Sequence, residues 1–317
     1  MKISFLIPAF NAESTLEEAV NSILNQKAES PKELIIIDDG SRDNTLGVAK
    51  KLKEKYPDIK LIEKKNGGEA SALNAGLEKV SGDFVALVEA DVKLEEGWLG
   101  KVLKEFDKSE VMGAGGCLVT SRDEPWIARI AGYEVENKFV TKERYPKHIT
   151  SANAIYRLEV FEEVGKFDEK LLNASLDSDV NSRLIDRGYK LAYVKDAKAL
   201  HHYKPTFLRY LKRQYNYAKY RIYVKDLALY PTDRLLAFNV FLSGLFIFSL
   251  LLIRISFYIP LVVLFFILWL QIPVTFKLLK AKKDPVLLIY PLVIILRNIV
   301  AFFGYGIGLI NKRFLKR

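Results

Sequence analysis

The chain has 317 residues, a net charge of +10 and 50% hydrophobic residues, enough for one or two domains with a sizeable core. Its single cysteine, Cys117, excludes an intramolecular disulfide framework and fits a reducing compartment. The apolar residues are unevenly spread: residues 1–200 have the composition of a soluble α/β domain, and the pattern changes sharply after Arg234.

Residues 3–7 read as a first strand, stopped by Pro8. Met1-Lys2 leads straight into it, so no signal peptide is expected and the N-terminal domain is placed in the cytoplasm. A helix is expected from Asn11–Glu13 onward, with Ala19, Ile23 and Leu24 on its inner face. The aliphatic run 34–37 reads as a strand buried on both faces, and it ends in Asp38-Asp39-Gly40-Ser41. In open α/β sheets ligands bind at that end of a strand. Adjacent carboxylates there need a metal, a cation or hydrogen-bond donors; the plainer reading is a turn whose Asp side chains cap amides.

Asp43 or Asn44 can cap a helix running to about residue 56, followed by a short strand over 60–63. A helix over 70–80 follows Asn66-Gly67-Gly68, and a strand over 83–88 ends at Glu89-Ala90-Asp91. Strands alternating with helices predict an α/β fold with a mostly parallel sheet. Glu89 and Asp91 are hard oxygen ligands suited to Mg²⁺ or Mn²⁺, although such a triplet also occurs at solvated strand ends. A further short strand over 191–194 precedes His201-His202, where neutral imidazole is a plausible ligand.

Residues 198–225 carry eight Lys or Arg and no Asp or Glu. Nucleic-acid binding is one reading. The segment lies directly before an apolar span, however, and contains Tyr210, Tyr215, Tyr217, Tyr220 and Tyr223. Basic residues attract anionic headgroups and tyrosines sit at the interface, so membrane lipids are the preferred partner and nucleic acid is not expected.

Residues 235–253 and 255–276 contain no charge. Each can cross a bilayer core of roughly 30 Å at about 1.5 Å per residue. With the N-terminal domain inside, Lys277, Lys280, Lys282 and Lys283 also fall inside, as the positive-inside rule prefers. A third apolar stretch, 286–310, is interrupted by Arg297 and Asn298. If it crosses, Lys312, Arg313, Lys316 and Arg317 lie outside and Arg297 sits near mid-bilayer, at about 2.5–3.5 kcal/mol. If it lies at the interface, both penalties vanish. Crossing is the expectation, with Arg297 free to pair with a lipid phosphate.

Several motifs occur in order and at typical spacing: Ile7-Pro8-Ala9-Phe10-Asn11, Asp38-Asp39-Gly40-Ser41, Asn66-Gly67-Gly68 with Asn74-x-Gly76, and Glu89-Ala90-Asp91. They continue through Ser151-Ala152-Asn153-Ala154, Val164-Gly165-Lys166-Phe167-Asp168, Leu176-Asp177-Ser178-Asp179-Val180-Asn181-Ser182-Arg183 and Arg187-Gly188-Tyr189. Over residues 1–205 the chain resembles the family 2 inverting glycosyltransferases, which have the Rossmann-like GT-A fold. The resemblance implies that Pro8, Ala9, Asn11 and Glu13 hold the nucleobase and ribose of a nucleotide-sugar donor, and that Asp39 accepts a hydrogen bond from the base. It implies close backbone approach to the diphosphate at Asn66, Gly67 and Gly68. It places Glu89 and Ala90 on the donor side, and Asp91 with His201 (or His202) on a metal. It makes Asp177 the general base, with Asn153, Asp179 and Arg183 on the acceptor side.

Three departures bear on that reading. Glu69 stands where relatives often carry Lys or Arg, and Leu176 stands where an acid usually precedes the base. The processive Gln-x-x-Arg-Trp signature is missing around Arg213-Gln214-Tyr215, which favours transfer of one sugar per encounter. The expected organisation is a cytoplasmic GT-A domain (1–205), a basic aromatic interfacial segment (206–234) and a membrane domain (235–317) with two or three transmembrane helices. The expected activity is metal-dependent transfer to a lipid-linked or cell-surface glycan acceptor. A polyprenyl-phosphate sugar synthase differs only in its acceptor; a nucleotidyltransferase and a non-catalytic membrane scaffold are more distant readings.

Overall fold

The computed structural model describes residues 2–27, 31–171, 176–203, 206–223 and 231–314. Lys204, Lys225, Lys316 and Arg317 of the basic segments named above lie outside the described residues. The strands are β1 (Ile3–Ala9), β2 (Lys32–Asp38), β3 (Lys60–Glu63), β4 (Phe84–Val88), β5 (Val92–Leu94), β6 (Val111–Val119), β7 (Asn153–Arg157) and β8 (Lys190–His201). The helices are α1 (Leu16–Leu24), α2 (Thr45–Lys55), α3 (Glu69–Leu77), α4 (Trp98–Leu103), α5 (Trp126–Phe139), α6 (Glu159–Glu163), α7 (Leu176–Asp186), α8 (Phe207–Arg221), α9 (Pro231–Leu250), α10 (Tyr258–Lys282) and α11 (Tyr290–Phe314). They form two compact units: residues 1–120 with 139–202, and residues 121–138 with 203–317.

In the first unit, eight strands form one sheet in the order β3-β2-β1-β4-β7-β6-β8-β5. Pairings β1–β2, β1–β4, β2–β3 and β6–β8 are parallel. β7 is antiparallel to β4 and β6, and β5 is antiparallel to β8. The sheet is therefore mostly parallel with two reversed strands. Phe5, Leu6, Ile7, Ile35, Ile36 and Ile37 are all but completely buried, as strands covered on both faces must be.

Pro8 does not stop β1; the strand runs on to Ala9. The β1–β4 ladder ends at Leu6, so beyond that point only β2 pairs with β1, and a residue without an N–H is tolerated. The first helix starts at Leu16, not near Asn11. Residues 11–13 are instead fastened to the loop after β2. Ala12 N donates to Thr45 Oγ1 at 2.7 Å, and Arg42 N donates to Asn11 Oδ1 at 2.8 Å. Asn11 takes a positive φ of 52°, a region that asparagine reaches more readily than most residues.

β8 extends over twelve residues, far past the expected 191–194. It shifts register against β6 between Gly116 and Cys117 and so carries on to pair with β5, with Val92 opposite His201. On β2, the buried Glu33 accepts from Ser4 Oγ (2.6 Å), Ser81 N (3.0 Å) and Lys60. Burial alone would raise this carboxyl, but the hydrogen bonds outweigh it and hold it at about 2.

The described elements of the second unit are all helical. Among its described residues, α10 (Tyr258–Lys282) and the stretch Pro285–Arg313 are long and apolar enough to cross a membrane, and Ala237–Leu250 is a shorter apolar helix. Helix α5 packs within this unit. Its Ile127, Ile130 and Tyr133 share a buried cluster with Tyr210, Leu278, Leu287, Val293 and Ile294. Arg129 and Tyr133 both donate to Asp284, at 3.0 and 2.8 Å. Burial, and then the Asp284 carboxylate, push the Tyr133 phenol up to about 12.

Arg297 on α11 is paired with Glu134 of α5 and also donates to Asn298 Oδ1 at 2.8 Å. The idea that Arg297 waits for a lipid phosphate is corrected by this pair: a half-buried carboxylate of the same chain already balances its charge.

Candidate active site

The residues expected to carry chemistry come from strand ends, the loops that follow them and the first turns of α7. Asp39 lies just beyond β2, and its amide donates to Ala9 O at 2.9 Å. Its side chain is buried and saturated with donors. Oδ1 accepts from Gly67 N (2.9 Å) and Lys64 Nζ (2.6 Å). Oδ2 accepts from Gly68 N (2.8 Å) and Asn66 Nδ2 (3.1 Å). The Gly67 and Gly68 amides both donate to Asp39, so this carboxylate shapes the loop before α3. Gly68 has φ +89°, and a Cβ on Gly40 would stand 2.7 Å from Asn66 N, so glycine is required where the two loops meet. Lys64 places a cation here despite Glu69, and no motif marked it.

Asn11 and Glu13 also have partners within the fold. Arg42 N and Asn44 N donate to them, the latter to Glu13 Oε2 at 2.9 Å. Pro8 and Ala9 form the end of β1 beside them. These contacts zip the 10–13 loop to the 41–45 loop.

The next acids, Glu89 and Asp91, occupy the turn between β4 and β5, with Ala90 buried between them. Because Val92 pairs with His201, the long β8 delivers that imidazole to the same turn. His201 Nε2 lies 3.5 Å from Glu89 Oε2 and 3.3 Å from Asp91 Oδ1. One ligand atom from each of the three falls within 4.8 Å of the others. Two carboxylates and a neutral imidazole suit a divalent ion such as Mn²⁺ or Mg²⁺, so the residues fit the expected metal. His202 is separated from its neighbour: its Nε2 is 2.8 Å from Glu18 Oε2, and Lys93 bonds the other Glu18 oxygen.

Asp177 lies in the first turn of α7 and accepts from Ser178 N at 2.7 Å. Its side chain keeps 20% of its surface, and His148 Nε2 stands 3.4 Å from its Oδ2. His148 was not singled out in the sequence, because a lone histidine in a loop carries no spacing signal. The three expected acceptor-side residues behave differently. Asn153 is completely buried in β7. Arg183 bonds Asp179 at 2.7 Å and donates to the carbonyls of Val164, Gly165 (2.8 Å) and Lys166 (3.0 Å). That pair braces the turn after α6. Asn74 does similar work from α3, exchanging two 3.0 Å bonds with the Phe167 backbone.

The family model described as glycosyl transferase family 2 matches residues 4–165, about half of the chain. The chain belongs to glycosyl transferase family 2. It is 27% identical over 249 residues to glycosyltransferase AglE of Haloferax volcanii, covering 77% of this chain and 79% of that protein. The mannosyltransferase PcManGT from Pyrobaculum calidifontis, solved with GDP-Man and Mn²⁺, superposes with a TM-score of 0.66 at 15% identity, over 96% of this chain and 86% of that one. GalNAc-T7, solved with UDP, GalNAc and Mn²⁺, gives 0.53 at 17% identity, over 74% and 53% of the two chains. As a family 2 member with the GT-A fold, the protein is a glycosyltransferase.

Proposed function

We propose that this family 2 enzyme is membrane-bound and inverting, and transfers a single sugar from a nucleotide-sugar donor to a lipid-linked or cell-surface glycan acceptor. The observation that carries the reading is the convergence of Glu89, Asp91 and His201 at the C-terminal end of β4. Those three residues would hold Mg²⁺ or Mn²⁺, which supplies charge neutralisation for a departing diphosphate. The 8–13, 39–41 and 64–68 loops would seat the nucleotide. Asp177 would take the proton of the acceptor hydroxyl. The freed oxygen lone pair forms the new bond to the anomeric carbon from the face opposite the diphosphate. The old C–O bond breaks, and the nucleotide diphosphate leaves with its electron pair.

A partly exposed carboxylate at Asp177 favours a hydroxyl acceptor over a phosphate one, since a phosphate is already anionic. The α10 and 285–313 spans and the basic face of α8 favour anchoring in a membrane with the catalytic unit on the cytoplasmic side. The absence of the processive signature in the sequence favours one transfer per encounter. The test is incubation of membranes containing the protein with labelled nucleotide sugars and lipid-linked acceptors, followed by mass spectrometry of the lipid fraction. A product heavier by one sugar, lost in Asp177→Asn with donor binding kept, is expected. Full transfer by Asp177→Asn would remove Asp177 from the base role.

A further inference from the structure

His148 lies in the loop before β7, outside every motif that drew attention in the sequence. Only 1% of its side chain is exposed, and its ring stacks on Phe139 with centroids 5.2 Å apart and planes 19° apart. This buried imidazole is aimed at a carboxylate that keeps part of its surface exposed. The fold also fixes their separation. Asn181, one turn beyond Asp177 on α7, donates from Nδ2 to Ile149 O at 2.6 Å. Its Oδ1 accepts from Tyr156 OH at 3.0 Å. The residue after His148 is thus fastened to the helix that carries Asp177, and β7 is fastened to both.

We propose that His148 is a positioning residue for Asp177, fixing the direction in which its carboxylate is presented to the acceptor. The inference rests on Asp177 acting as the base. Ser178 N engages Oδ1 and His148 Nε2 addresses Oδ2, which limits rotation of the carboxylate. Tyr156 from β7 is a further titratable neighbour. Its phenol is pushed up by burial and then by the charge of Asp177, so it stays a neutral donor to Asn181. Asp179 is occupied by Arg183. A donor at Nε2 stabilises the ionised carboxylate, so its loss raises the pH at which Asp177 becomes a competent base.

The test uses the full-length protein and three variants. His148→Ala removes the ring, His148→Phe keeps a ring to stack on Phe139 but has no N–H, and His148→Gln restores a donor. In Ala and Phe, kcat is expected to fall about 10–100-fold with the donor KM within about twofold of wild type. The acid limb of the kcat/KM profile should move up by about 0.5–1 pH unit, and Gln should recover part of both. A limb that stays in place in whichever of Ala and Phe folds overturns the proposal, whether or not kcat falls. If Asp177→Asn retains full transfer, the base reading fails first. If Asp177→Asn is inactive while the His148 variants match wild type, only the positioning role fails.

Discussion

Arg297 is ion-paired with Glu134, which lies 163 residues earlier in the chain, and only 14% and 11% of the two side chains are exposed. Removing one partner of such a pair leaves an uncompensated charge. Arg297→Leu or Glu134→Gln alone is expected to destabilise the helical unit by about 3–5 kcal/mol. The double substitution should be less harmful than the sum of the two. Thermal unfolding in detergent measures this, and additive losses would argue against a coupled pair.

The Glu89, Asp91 and His201 cluster predicts that chelation stops transfer and that Mn²⁺ or Mg²⁺ restores it. Asp91→Asn and His201→Gln should shift the metal concentration for half-maximal activity upward by at least about tenfold. His202→Gln should leave that titration unchanged, because His202 bonds Glu18 instead. A shift in His202→Gln equal to that of His201→Gln would contradict the assignment.

Asp39→Asn replaces one of two accepting oxygens with an amide donor that faces the Gly67 or Gly68 N–H. The loop before α3 should loosen, at about 1–3 kcal/mol of stability. With this loop seating the nucleotide as proposed, the donor KM is expected to rise by about tenfold, with a smaller change in kcat. Initial-rate kinetics at varied donor concentration distinguish this from a loss confined to kcat.

Glu33 sets a pH dependence of folding. Its folded value, about 2, lies below its ordinary value of 4.5, so its contribution is fully present above the ordinary carboxyl value. The contribution shrinks as pH falls below about 4.5 and is gone once pH passes below the folded value. Glu33→Gln should therefore lower thermal stability at pH 7 and show a flatter acid limb between pH 5 and about 2. Unfolding followed across that range in both proteins provides the comparison.

The strand ends were legible in the sequence because their chemistry is local. Runs such as Ile35, Ile36 and Ile37 followed by acids announce both a buried strand and a polar edge. The element boundaries near Pro8 and Asn11 were less legible, since they depend on which neighbour strand has already ended and on cross-loop bonds to Arg42 and Thr45. His201 could be named from the adjacent pair, but its separation from His202 follows from the β5–β8 register. Lys64 and His148 gave no signal, for each acquires meaning only through a partner distant in sequence. Helix α5 was passed over for the same reason: its apolar face meets residues from α8, α10 and α11.

That placement of α5 bears on how the chain is made and cut. Ile127, Ile130 and Tyr133 leave the ribosome more than seventy residues before the first helix that covers them is complete, so a sticky stripe must wait for its cover during synthesis. A soluble fragment ending near residue 205 would carry the stripe permanently, together with an orphaned Glu134. Polar replacements along that stripe, or excision of 121–138 with a short bridge, are the rational starting points for a crystallisable catalytic fragment.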